Sequence, residues 1–89
     1  MKVFPMKNDP KSICFRNFER RPLIEEYEEC VAILKENGCI IGELKDCAVL
    51  YLAKCSLNGK PFEICVEDET LLRADSEETI EELLSFFET

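Results

Sequence analysis

The sequence predicts an α+β domain: a helix, a three-stranded antiparallel β-meander and a C-terminal helix, with an N-terminal segment that adds a strand or hairpin. Three observations carry this. Apolar residues recur at helical spacing in two segments, residues 22–37 and 76–88. Between them, β-prone runs flank Asn58-Gly59, a strong short-range hairpin signal because both central residues of a type I′ turn need positive φ. The length, 89 residues, suits one small core. Residues 1–89 therefore read as a single domain, a basic segment 1–21 packed on an acidic body 22–89.

The first helix begins at Pro22, whose missing N–H is not needed in an opening turn. Leu23, Tyr27, Cys30, Val31 and Leu34 form its apolar stripe, with Glu25, Glu26, Glu28, Glu29 and Glu36 mainly on the other side. Asn37-Gly38 supplies the stop. Residues 39–44 form the first strand, Lys45-Asp46 the turn, and residues 47–57 and 60–67 the hairpin around Asn58-Gly59. A two-residue loop fixes the register, pairing Leu57 with Lys60, Lys54 with Glu63, Leu52 with Cys65 and Tyr51 with Val66. Lys54 opposite Glu63 is a favourable solvated pair. Pro61 sits near the strand's start, where proline is tolerated. The last helix is capped by Asp75 with Glu78 in a capping box, and buries Ile80, Leu83, Leu84 and Phe87.

These elements give two helical stripes packed on a sheet face of Ile40, Leu44, Val49, Tyr51, Ala53, Phe62, Ile64 and Val66. The opposite face gathers Cys39, Ile41, Leu50, Leu52 and Cys65, too apolar to be left in water. The N-terminal segment, with Phe4, Ile13, Phe15 and Phe18 otherwise unplaced, is the expected cover, and a dimer or partner surface is the alternative.

No apolar h-region follows Met1, and the run 47–53 is too short to span a bilayer. A cytoplasmic location in a bacterial host cell is expected, with the six cysteines (14, 30, 39, 47, 55 and 65) reduced. They lack any C-x-x-C pair, so the zinc-site signature is missing. Their reading is small buried hydrophobes, with a redox role as the alternative. The absence of histidine excludes a His-containing triad and a His-ligated metal. The three glycines form no phosphate-cradling motif. No catalytic residue, metal or cofactor is expected.

Charge is the distinctive feature. The net charge of −8 averages a leader of +4 (residues 1–21) with a body of −12 (residues 22–89). From residue 67 onward, Glu67, Asp68, Glu69, Asp75, Glu77, Glu78, Glu81, Glu82 and Glu88 face Arg73 alone. Glu77/Glu81 and Glu78/Glu82 are like-charge pairs at i,i+4, each costing about 0.2–0.5 kcal/mol of helix stability. Two readings stand: a solvated face that keeps the protein soluble, or a negative surface shaped for a positive one. The second makes Glu67, Asp68, Glu69, Glu77, Glu78, Glu81 and Glu82 the partner-binding residues. Lys7, Lys11, Arg20 and Arg21 could touch phosphates, but the glutamate-rich elements repel nucleic acid.

The order helix, three-strand meander with Asn58-Gly59, acidic helix, over roughly residues 22–88, resembles small phage-encoded anti-CRISPR proteins. The resemblance implies a stoichiometric inhibitor that occupies the PAM- or nucleic-acid-binding cleft of a CRISPR effector as a nucleic-acid mimic. The expected function is thus a non-enzymatic inhibitor blocking a basic protein surface of a CRISPR effector, nuclease or toxin. It makes no direct nucleic-acid or membrane contact and is a monomer, with a homodimer as the alternative. Other classes are an immunity protein or antitoxin, and a small oligomerising structural domain.

Overall fold

The computed structural model describes residues 2–6, 9–16, 22–67 and 69–87. In chain order the elements are β1 (Lys2–Met6), β2 (Asp9–Arg16), α1 (Leu23–Glu36), β3 (Ile40–Ile41), β4 (Lys45–Asp46), β5 (Tyr51–Leu57), β6 (Lys60–Val66), β7 (Thr70–Ala74) and α2 (Glu77–Ser85). Every strand pairing is antiparallel, in the order β1-β2-β7-β6-β5-β3, with β4 also on β5. The α+β class holds, and the meander is one part of a larger sheet.

The β5–β6 hairpin has the register its turn dictates, from Leu57 opposite Lys60 through Lys54 opposite Glu63 to Tyr51 opposite Val66. Asn58 and Gly59 take positive φ of 52° and 81°. β7 stops with Ala74 opposite Phe62, so Pro61 has no β7 residue across from it and its missing N–H breaks no bond to that strand.

The first turn of the meander lies elsewhere than expected. Asp46 pairs with Tyr51, Cys47 N–H donates to Leu50 O (2.8 Å), and Ala48-Val49 forms the tip, with Ala48 at φ 73°. The strand before it is interrupted. Ile41 lies opposite Cys55 but Lys45 lies opposite Leu52, so one extra residue is inserted between β3 and β4 as a bulge. The turn displaced by three residues keeps the faces of β4, and the one-residue bulge is what exchanges the inward and outward side chains of β3. Cys39 is buried and Ile41 packs against the core, not on the outer face. Ile40 (72% exposed), Val49 (78%) and Tyr51 (49%) leave the core expected for them.

β7 falls where the sequence reads as acidic loop. Thr70, Leu72 and Ala74 are buried while Leu71 and Arg73 face the other way. β7 is central, because β2 pairs along it with Ile13 opposite Leu72 and Cys14 opposite Leu71. The N-terminal hairpin therefore extends the sheet edge to edge instead of stacking on it. Ile13 enters the main core. The side chains of Phe4 and Phe15, and Phe18 entirely, lie outside the described residues.

Both helices lie on one sheet face. α1 contacts β3 and β7, and α2 contacts β2 and β7. Cys30 and Leu34 of α1 and Ile80 and Leu83 of α2 close over Ile13, Ala53, Cys55, Leu57, Phe62, Ile64, Val66 and Leu72. Pro22 caps α1 without a side-chain bond. At its end, Cys39 N–H reaches Leu34 O and Gly38 N–H reaches Lys35 O, a Schellman motif that plants Cys39 beside the core. α2 is capped by Ser76, not Asp75: the Ser76 hydroxyl accepts from Thr79 N–H at 3.3 Å. Glu88 lies outside the described residues.

Candidate functional site

The helix layer is where acid concentrates. α1 carries Glu25, Glu28, Glu29 and Glu36 outward against Lys35, and α2 carries Glu77, Glu78, Glu81 and Glu82 with no base. Because both helices cover the same face, two groups about fifty residues apart in sequence become one layer. At its border, Lys60 Nζ approaches Glu78 Oε1 (3.5 Å) and Glu82 Oε2 (3.8 Å). Glu78 is almost fully solvated, so this contact neutralises little.

The residues expected to bind a partner divide between two places. Glu77, Glu78, Glu81 and Glu82 lie on α2, beyond the end of β7 that Ala74 marks. Glu67 and Glu69 lie at the other end, in the β6–β7 turn closed by Glu67 N–H on Glu69 O (3.2 Å). The five residues of β7 separate them by roughly 17 Å. Asp68 lies outside the described residues.

The outer sheet face differs in character. Register places Cys14, Leu71, Cys65 and Leu52 in one row across it, and Ser12, Arg73, Glu63 and Lys54 in the next. The second row alternates in charge, with Glu63 between Arg73 and Lys54. Toward Glu67 and Glu69 the face forms a shallow concavity of about 360 Å³, lined also by Leu50, Cys65 and Arg73. There Cys14 Sγ–H donates to Glu69 Oε2 at 2.7 Å.

Burial raises the pKa of four thiols, Cys30, Cys39, Cys55 and Cys65. Burial pushes Cys30 well above the ordinary thiol range, reinforced by Cys55, Glu26 and Cys39 nearby. Burial, helped by Cys55 and Glu82, pushes Cys39 up to about 11. Cys55 and Cys65 are also raised by burial, with Gly42 N–H and Arg73 respectively pulling the other way. Cys47 is exposed. Cys14 and Cys65 sit two strands apart, about 10 Å, too far for a disulfide. Among the described residues no group of three acidic, cysteine or histidine side chains could hold a metal ion, and no helix is long and apolar enough to cross a membrane.

Two features were not legible in the sequence. Glu26 is on the core side of α1, 2% exposed, and its Oε1 has no hydrogen-bond partner among the described residues. A groove of about 420 Å³ runs between α1 and the β4–β5 hairpin, lined by Ile24, Tyr27, Leu44, Tyr51, Val66 and Glu67. Both tyrosines sit on apolar stripes that read as plain core, which hid it. No protein family, curated protein or solved structure matches the chain.

Proposed function

We propose that this protein is a non-enzymatic inhibitor whose acidic helix layer occupies a basic, nucleic-acid-binding surface of a CRISPR effector, nuclease or toxin. The observation that carries the reading is the shared placement of α1 and α2. Apart from the buried Glu26, their glutamates project from one layer, and Lys35 is the only base on either helix. A one-signed surface of this kind steers and orients a partner of opposite sign. Burial raises Cys30, Cys39, Cys55 and Cys65 away from the thiolate form that acts as nucleophile, which favours a binding role over catalysis for them.

The test is enrichment from the native host with wild-type protein and with the variant Glu77→Lys, Glu78→Lys, Glu81→Lys, Glu82→Lys. The expected result is a basic nucleic-acid-binding protein that wild type retains, charge reversal loses and added duplex DNA or RNA displaces. Retention by the reversed variant, or indifference to nucleic acid, would sink the reading.

A further inference from the structure

The groove beside α1 is apolar where it should be solvated. Ile24 is 56% exposed and Tyr51 49%, and Val49, at the tip of the hairpin that carries Tyr51, is 78% exposed. Each such side chain leaves apolar area in water at a cost of about 25 cal/mol per Å². Neither the fold nor the turn demands this. Val49 is a poor tip residue, and Ala48 before it holds a positive φ of 73° that glycine or asparagine would adopt at less cost. Neither tyrosine hydroxyl has a hydrogen-bond partner among the described residues. A tyrosine with an apolar body and a free polar tip suits an interface.

The charge around the groove says what fits it. Glu67 is part of its wall. Glu28 follows Tyr27 on α1, and Asp46 lies directly opposite Tyr51 in the ladder, its Oδ1 fixed by Ala48 N–H at 2.9 Å. All three are exposed, and among the described residues no base lines the groove. A second copy of this chain would bring another net −8 against these acids.

We propose that this groove docks an amphipathic cationic segment of a partner protein, its apolar side chains between Ile24, Tyr27 and Tyr51 and its lysines or arginines against Glu28, Asp46 and Glu67. This rests on the reading that the partner is basic, and adds an apolar anchor to it. Area buried in the groove would supply the residence time that exposed charge pairs do not.

The chain has two tyrosines and no tryptophan, and both tyrosines line the groove, so intrinsic emission reports on it directly. The probe is a dye-labelled, tyrosine-free helical peptide of leucine and lysine at amphipathic spacing, with a scrambled peptide of the same composition as control. Anisotropy measures affinity and tyrosine emission reports location. The amphipathic peptide is expected to change the emission and to bind at least tenfold tighter than the scrambled one. Ile24→Ser and Tyr51→Ser, both at exposed positions and checked for fold by circular dichroism, should each weaken it at least tenfold. Equal affinity for the two peptides, or unchanged binding by both variants, overturns the groove. A concentration-dependent dimer in sedimentation that closes the groove overturns it in favour of a second copy. The four-lysine α2 variant in the same titration separates the two readings. Loss of host-partner binding there, with the serine variants unaffected, removes the groove and leaves the acidic layer standing.

Discussion

Glu26 brings a carboxyl into the core while its Oε1 finds no partner among the described residues, at a position where the helical stripe would otherwise hold an apolar residue. An unsatisfied buried polar group costs about 1–3 kcal/mol, more when charged. Glu26→Leu should therefore stabilise the protein by about 1–3 kcal/mol, which corresponds to a rise of roughly 4–8 °C in Tm per kcal/mol for a domain of this size. Thermal unfolding followed by circular dichroism checks it; a fall in Tm would mean that the carboxyl is held by something. The cysteines give a second residue-scale outcome. At pH 8 the native protein should react with iodoacetamide at Cys47 alone within minutes, and at all six positions once unfolded, as read by mass spectrometry. The raised thiols also set a sign. Cys39 ionises near 9.0 when unfolded but only at about 11 when folded. Its contribution is fully present below pH 9 and is lost as pH rises toward 11, so alkaline denaturation midpoints should fall across that window.

At the scale of elements, the interrupted edge of the sheet depends on Gly42. Its N–H donates to Lys54 O at 3.0 Å, and a Cβ there would stand 2.3 Å from that same oxygen. The bulge between β3 and β4 thus hugs β5 only because residue 42 has no side chain. Gly42→Ala should cost about 1–3 kcal/mol as an overpacked site, and should speed amide exchange at residues 40–46 while leaving β6–β7 protected. Uniform protection loss, or none, would contradict this edge arrangement. The same elements show what a sequence can reveal. Asn58-Gly59 dictated every pairing of β5 with β6, because a two-residue turn transmits register down the whole hairpin. Ala48-Val49 carries no such turn chemistry, so the first turn read three residues early, and the bulge between β3 and β4 then exchanged the inward and outward sets of residues 39–41. β7 was invisible for another reason. Its five residues lie among acids with no glycine or proline to punctuate them, and its pairing with β2 spans more than fifty residues. The acidic residues themselves were plain from composition. Their division into a helix layer and a β6–β7 turn was not, since it depends on where β7 runs.

Taken whole, the molecule measures 29 × 28 × 26 Å and places its acids unevenly, a glutamate layer on one face and a row in which Glu63 lies between Lys54 and Arg73 on the other. The Debye length is about 30 Å at 0.01 M salt and about 8 Å at 0.15 M. At the lower concentration, repulsion within the helix layer acts across the whole protein; at the higher one it reaches only near neighbours. Raising NaCl from 10 to 150 mM should therefore increase Tm by several degrees. Glu77→Lys and Glu81→Lys should each raise the low-salt Tm as well, because either removes an i,i+4 repulsion worth about 0.2–0.5 kcal/mol. The proposed complex must respond with the opposite sign, since screening that relieves the glutamates of one another also weakens their attraction to a basic partner. One salt titration, read by thermal unfolding for the free protein and by dissociation for the complex, thus separates the two effects. A Tm that is flat or falls with salt would show that the helix layer carries no excess repulsion, and would remove the electrostatic basis for a basic partner with it.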